Sequence, residues 1–133
     1  MTFIATKDIE WENLDWGDLG WVVRPANVPE ASGLAVLDVI LQPGNGHDFH
    51  KHPNQEETIY VIDGEVEQWV KEEHRILSAN EAVFVPKDTV HATFVAESAA
   101  SPAHLLVVLS PSYSEAGYEA VDVATEGPWN SLR

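Results

Sequence analysis

The chain contains no cysteine, which excludes disulfides, thiolate metal sites and cysteine nucleophiles. Basic residues are scarce, seven Lys and Arg against 22 Asp and Glu, for a formal net charge of −15. Such a surface repels nucleic-acid phosphates and anionic lipid, so neither a nucleic acid nor a membrane is an expected partner. Solubility is the simplest account of the acidity. One consequence is that neutral or cationic substrates are favoured on encounter, an effect that salt softens. No apolar run approaches the length needed to span a bilayer, and residues 1–8 lack the basic and apolar regions of a signal peptide. A soluble cytoplasmic protein is therefore expected. Helical periodicity, repeats and low-complexity tracts are also missing.

What the chain does have is a series of short Val-, Ile- and Leu-bearing segments separated by Pro, Gly, Asn and Asp. That pattern reads as an all-β protein, and 133 residues suits a single domain with its own core. Strands are predicted over 33–41, 49–52, 58–62, 65–71, 74–77, 82–85, 91–95 and 104–109, with a surface loop over 96–102. A turn of helix anchored by Tyr113 and Tyr118 is expected within 111–120.

The chemistry concentrates between Gly44 and Gly64. Alternation leads into and out of this segment, which reads as strand, turn, strand. Residues two apart on a strand point the same way at roughly 6.5 Å. His50 and His52 can thus reach one ion while Lys51 faces away, and His47 falls on the opposite face. Pro53 and Asn54 carry turn chemistry, after which the returning strand can bring Glu57 opposite the histidine pair, with its neighbour Glu56 pointing out. Neutral imidazoles and a carboxylate suit one divalent transition metal ion such as Fe, Mn, Ni, Cu or Zn.

Gly44, His50, His52, Glu57 and Gly64 match without a gap the first motif of the cupin superfamily, G(X)5HXH(X)4E(X)6G, so the chain resembles a small single-domain cupin. The second motif, G(X)5PXG(X)2H(X)3N, resembles the stretch from Asn80 to Val95, with Pro86 and His91 matching. Asn80 and Asp88 replace glycines there, and Val95 stands in place of asparagine. Asn and Asp enter the positive-φ region more cheaply than other side chains, so the first two replacements are mild. Val95 loses whatever that amide bonded.

The resemblance implies a small double-stranded β-helix, or jelly-roll, barrel over residues 33–109. It is flanked by an N-terminal arm (1–32) and a C-terminal extension (110–133), all within one domain. It further implies His91 as a fourth metal ligand beside His50, His52 and Glu57. An octahedral ion so held would keep two positions for water, O2 or a bidentate substrate. Around the ion, the inward strand faces should present Ile59, Val61, Gln68, Val83, Val85, Thr93 and Val95, a mostly apolar pocket in which Gln68 and Thr93 supply polar contacts. Asp48 is a candidate partner for a ligand imidazole.

Trp11, Trp16 and Trp21 read as packing anchors of the N-terminal arm, over the barrel or at the interface of a homodimer, the assembly the resemblance implies. His74 is expected in solvent at a hairpin turn, and His104 at an edge or in the core. Two classes of function follow. One is a mononuclear metal enzyme acting on a small oxygenated organic substrate, in the first place a dioxygenase, alternatively a Lewis-acid isomerase or lyase. Glu57 is the candidate base if it loosens from the metal. The other is a module that binds or senses a small molecule without turnover.

Overall fold

Apolar residues alternate along three segments, and in each the buried set shares a face: Ala35, Leu37, Val39 and Leu41; Ile59 and Val61; Ala103, Leu105, Val107 and Leu109. Period-two burial is the signature of a sheet with one face on a core. The computed structural model describes residues 2–133 and places these segments side by side.

The strands are β1 (Glu10–Leu14), β2 (Gly17–Val23), β3 (Ala35–Leu41), β4 (Gly46–Lys51), β5 (Glu56–Asp63), β6 (Glu65–Val70), β7 (Glu73–Ser78), β8 (Ala82–Val85), β9 (His91–Val95), β10 (Ala103–Ser110) and β11 (Val121–Asp122). They form two antiparallel sheets, one ordered β1-β2-β3-β10-β5-β8 and the other β11-β4-β9-β6-β7. The jelly-roll barrel that the motifs imply is thus the observed architecture. No α-helix occurs among the described residues, and the expected helical turn within 111–120 is instead a tight turn bridged between Tyr113 and Gly117.

Strand register stacks the core in layers. Leu105 of β10 lies between Val39 of β3 and Val61 of β5, and Val107 between Leu37 and Ile59. Replacing such a side chain with alanine costs about 2–5 kcal/mol. The strand β9 is buried at every position. It is central in its sheet, and a second cluster of Phe49, Trp69, Ala92, Phe94 and Val123, flanked by Trp129 and Leu132, covers its outer face. The C-terminal extension therefore acts as a lid on that sheet.

Turn chemistry follows the motif. Gly64 turns β5 into β6 at φ +88, and a Cβ there would lie 2.8 Å from the Pro102 carbonyl oxygen. Asn80 and Asp88, which replace glycines, stand at φ 72 and φ 56, the region these two side chains tolerate best. Val95, where asparagine is usual, is core. The segment read as an N-terminal arm folds as the β1–β2 hairpin and extends the six-stranded sheet, with β2 paired to β3. Trp21 is buried in that sheet and donates through Nε1 to Glu12 at 3.2 Å, whereas Trp11 stays exposed over Gly20.

Candidate metal centre

His50 of β4 and His91 of β9 are register partners on adjacent strands. His52 lies just beyond the end of β4, and Glu57 comes from β5 in the facing sheet. All four are buried, and one donor atom from each lies within 4.8 Å of the others. An ion with ligand bonds of about 2.1 Å requires donor separations of about 3–4.2 Å, close to this spread. Lys51 faces away, as alternation requires, and pairs with Asp88 at 3.2 Å.

Hydrogen bonds fix the imidazoles. His50 Nδ1 lies 2.7 Å from the Asp48 carbonyl oxygen, His52 Nδ1 2.8 Å from that of Glu119, and His91 Nδ1 2.9 Å from that of Thr89. A carbonyl can only accept, so each Nδ1 carries the proton and each neutral ring presents an Nε2 lone pair. Asp48 contributes its main chain here, since its carboxylate accepts from the Phe49 amide at 2.8 Å.

Inside the cluster the Nε2 atoms of His52 and His91 and the Oε1 of Glu57 are buried without a hydrogen-bond partner. The Glu57 oxygen lies 2.7 Å from His91 Nε2 and 3.6 Å from His52 Nε2. With the rings in the tautomers that the carbonyls dictate, these are acceptors facing acceptors, an arrangement that a cation satisfies. The residues fit a divalent ion on this ground.

The electrostatics agree. Burial alone would raise the Glu57 pKa, but the imidazoles of His91 and His52 beside it hold it well below the usual carboxylate range. Burial likewise lowers His52, yet the adjacent Glu57 carboxylate prevails and leaves His52 raised. Burial and the neighbouring imidazoles push His50 well down. Glu57 is therefore an ionised carboxylate that favours positive charge among the three rings.

The cluster opens onto a small cavity of ≈ 50 Å³, walled largely by apolar side chains from both sheets, such as Leu37, Val39, Leu105 and Val107. Of the seven residues expected to line it, Ile59 and Thr93 do so. Gln68 and Val83 open instead onto a separate cleft beside β7 and β8. Val61 and Val95 are packed in the core, and Val85 is buried. Strand alternation specifies a face but not the depth along the barrel. Gln68 still touches the wall indirectly, because its Oε1 accepts from Thr93 Oγ1 at 2.6 Å.

Beyond the leucines and valines of the wall, three ring-bearing residues line the cavity that strand alternation did not place there. His47 stands on the inner face, not the opposite one, because the β4–β9 ladder shifts register between His47 and His50. A regular strand would separate residues three apart, whereas an irregularity of this kind realigns them. The His47 ring stacks on His50 with centroids 3.5 Å apart and on Trp16 at 3.8 Å. Burial brings its pKa down to about 3. Trp16 reaches the cavity from the β1–β2 turn, and Tyr118 from the loop after β10. The Tyr118 ring lies 5.9 Å from that of His52, and burial raises its pKa.

Of the remaining histidines, His74 is exposed and stacks on Trp69 at 4.2 Å, while His104 pairs with Asp38. Neither joins the metal cluster. Among the described residues no helix is long and apolar enough to cross a membrane.

Comparison with known proteins places this site in context. The Cupin_2 family model, a cupin domain, matches residues 37–109. Polyketide synthase CurC of Streptomyces cyaneus is 33% identical over 88 residues, covering 66% of this chain and 56% of that protein. The match thus spans little more than half of that relative's length. Among solved structures, KdgF from Halomonas sp. superposes with a TM-score of 0.73 at 20% identity, over 86% of this chain and 99% of that one. Bacillus subtilis oxalate decarboxylase, a protein with Mn(II) centres, superposes with a TM-score of 0.72 at 21% identity, over 86% of this chain and 30% of that one. At these identities the structural likeness shows the fold.

Proposed function

This chain belongs to the cupin family, and on that premise we propose that it is a mononuclear metal-dependent enzyme acting on a small oxygenated organic substrate, in the first place a dioxygenase. The observation that carries the proposal is the buried set of unpaired Nε2 and Oε1 atoms facing one another at the wall of an apolar cavity. His50, His52, Glu57 and His91 would hold one divalent ion among Fe, Mn, Ni, Cu and Zn. When bound, such an ion supplies a Lewis-acid centre for substrate oxygens and, if redox-active, a path for electrons.

The chain's own residues would do the rest. Leu37, Val39, Ile59, Leu105, Val107 and Leu109 receive the hydrocarbon body of the substrate, and the ring of Trp16 flanks it. Outside the ligand set, the titratable groups of the wall are His47 and Tyr118. Burial holds His47 neutral down to a pKa of about 3 and keeps the Tyr118 phenol protonated. Neither exchanges a proton readily near neutral pH, which favours a reaction that needs little acid–base help from the protein. A bound enolate or catecholate meeting O2, itself apolar, fits that description. The similarity to a polyketide synthase is in keeping with a carbonyl-bearing carbon skeleton.

The alternative, a Lewis-acid isomerase or lyase, draws support from Tyr118, whose protonated hydroxyl can donate to a developing oxyanion. Glu57 would serve as base there only after leaving the imidazoles that depress its proton affinity. Kinetics of Glu57→Gln with metal retained test that role. To separate the readings, metal-loaded protein is supplied with enolic and catecholic compounds in an oxygen electrode. The dioxygenase reading expects O2 uptake matched to product and none anaerobically. Turnover that persists without O2 would favour the isomerase or lyase, and saturable binding with release of unchanged compound would make the chain a binding module.

A further inference from the structure

The three imidazole orientations are not held alike. The carbonyls that receive His50 and His91 belong to residues two positions earlier in the same segments, Asp48 and Thr89. The carbonyl that receives His52 belongs to Glu119, 67 residues away in the loop after β10. Something must keep that distant loop in place for His52 to keep its tautomer and aim.

Gln55 occupies the position to do so. It lies in the turn between β4 and β5, three residues after His52 and two before Glu57, and its side chain is almost fully buried at 1% exposure. Its Nε2 donates to the carbonyls of Pro111 at 2.7 Å and Gly117 at 3.0 Å, and its Oε1 accepts from the Glu119 amide at 3.1 Å. Both amide protons and one acceptor site of a single side chain are thereby spent on three points of one loop. Asn54 adds an exposed contact to the Glu119 carboxylate at 3.2 Å. The loop's other ties, from Ala26 to the Glu115 carbonyl, from Arg24 to that of Ala116, and from Ser112 to the carbonyls of Ala31, Ser32 and Leu34, run to the segment between β2 and β3 and not to the ligand turn. Gly117 itself has φ +93, and a Cβ there would lie 2.8 Å from the Arg24 Cβ. Between Gly117 and Glu119 stands Tyr118, the residue of this loop that walls the cavity.

We propose that Gln55 is a positioning residue that clamps the 111–119 loop to the metal site, so that the metal affinity of His52 and the placement of Tyr118 in the cavity are linked. The inference rests on the metal reading above and adds to it a direction of coupling. Loosening the loop weakens the metal, and by thermodynamic reciprocity binding the metal tightens the loop.

The test uses Co(II) as probe, followed by its absorption spectrum and by competition with a chelator, on the wild-type chain, Gln55→Met and Val66→Ala. Methionine preserves the length of the side chain and removes all three hydrogen bonds. Val66 is fully buried but lies outside the cavity wall, so its truncation lowers Tm without touching the clamp. Gln55→Met is expected to bind Co(II) about 10–100-fold more weakly, the usual effect of losing a partner that orients a ligand, and with an altered spectrum. Val66→Ala is expected to keep wild-type affinity. Hydrogen exchange of the wild-type chain supplies a second readout that does not depend on any variant folding. Co(II) should slow exchange of the Glu119 amide, which donates to Gln55. Unchanged affinity in Gln55→Met, or unchanged Glu119 exchange on metal binding, overturns the inference alone. Failure of the wild-type chain to bind Co(II) removes the metal reading and the inference with it.

Discussion

Loading the site should stabilise the fold by an amount that can be worked out beforehand. The buried donors of His52, His91 and Glu57 face one another without hydrogen-bond partners in the folded chain, and the unfolded chain holds no such arrangement. Metal binding therefore adds to folding free energy. At a free concentration one hundred times Kd the gain is about 2.7 kcal/mol. With an unfolding entropy of about 2.1 cal/mol/K per residue, a chain of 133 residues shifts in Tm by about 10 °C. His91→Ala removes one of the four donors while leaving the first motif intact. If it weakens affinity about a hundredfold, the same free metal yields about 0.4 kcal/mol, or about 1.5 °C. The assay is differential scanning calorimetry of wild type and variant with and without metal, each protein compared with its own metal-free Tm. Scatter from any structural cost of the substitution then cancels. A wild-type shift below about 2 °C at that saturation, or equal shifts in wild type and His91→Ala, would refute the four-donor arrangement.

Other consequences follow from the same geometry. Metal affinity should fall on acidification, because His52 Nδ1 already carries its proton and the next proton competes with the ion for Nε2; a pH-independent Kd through the range around 6.5, the ordinary histidine value, would contradict this. In the metal-free chain the His52 contribution to stability has the sign of a raised pKa: fully present below 6.5 and lost as pH rises through the higher folded value. The Glu57 contribution has the opposite sign, present above 4.5 and lost as pH falls through its depressed folded value. Chemical denaturation of the metal-free protein across pH checks both slopes. His47→Phe preserves a ring between Trp16 and His50 and should retain metal affinity within about twofold while altering KM; loss of metal would make His47 a ligand. Because Trp16, His47 and His50 form one stack, a paramagnetic ion such as Cu(II) should quench part of the tryptophan emission. Trp16→Phe should abolish that part, and quenching that survives the substitution would place the ion elsewhere.

Local spacing made the donor set legible and left its surroundings obscure, for reasons that can be traced to residues. His50 and His52 are related by strand period, and one turn carries the chain to Glu57, which meets them from the facing sheet. His91 needed the motif, since nothing local joins β9 to β4. His47 was misplaced because a register irregularity is invisible to alternation. The β1–β2 hairpin went unseen because its residues are largely carboxylates, glycines and tryptophans, with little β-branched signal until Val22 and Val23. Val61 and Val95 share an inward face with Ile59 and Thr93, yet they pack in the core away from the cavity wall. Gln55 meets Gly117 and Glu119, which flank Tyr118, across more than 60 residues of chain, through hydrogen bonds to main-chain atoms that no residue pattern encodes.

If His50, His52, Glu57 and His91 hold one metal ion, elemental analysis of protein purified without added metal or an affinity tag, beside the His50→Ala/His52→Ala variant, will find it. About one transition metal per native chain and none in the variant is expected. A native chain without metal even after reconstitution, or a variant that retains its metal, would contradict that arrangement.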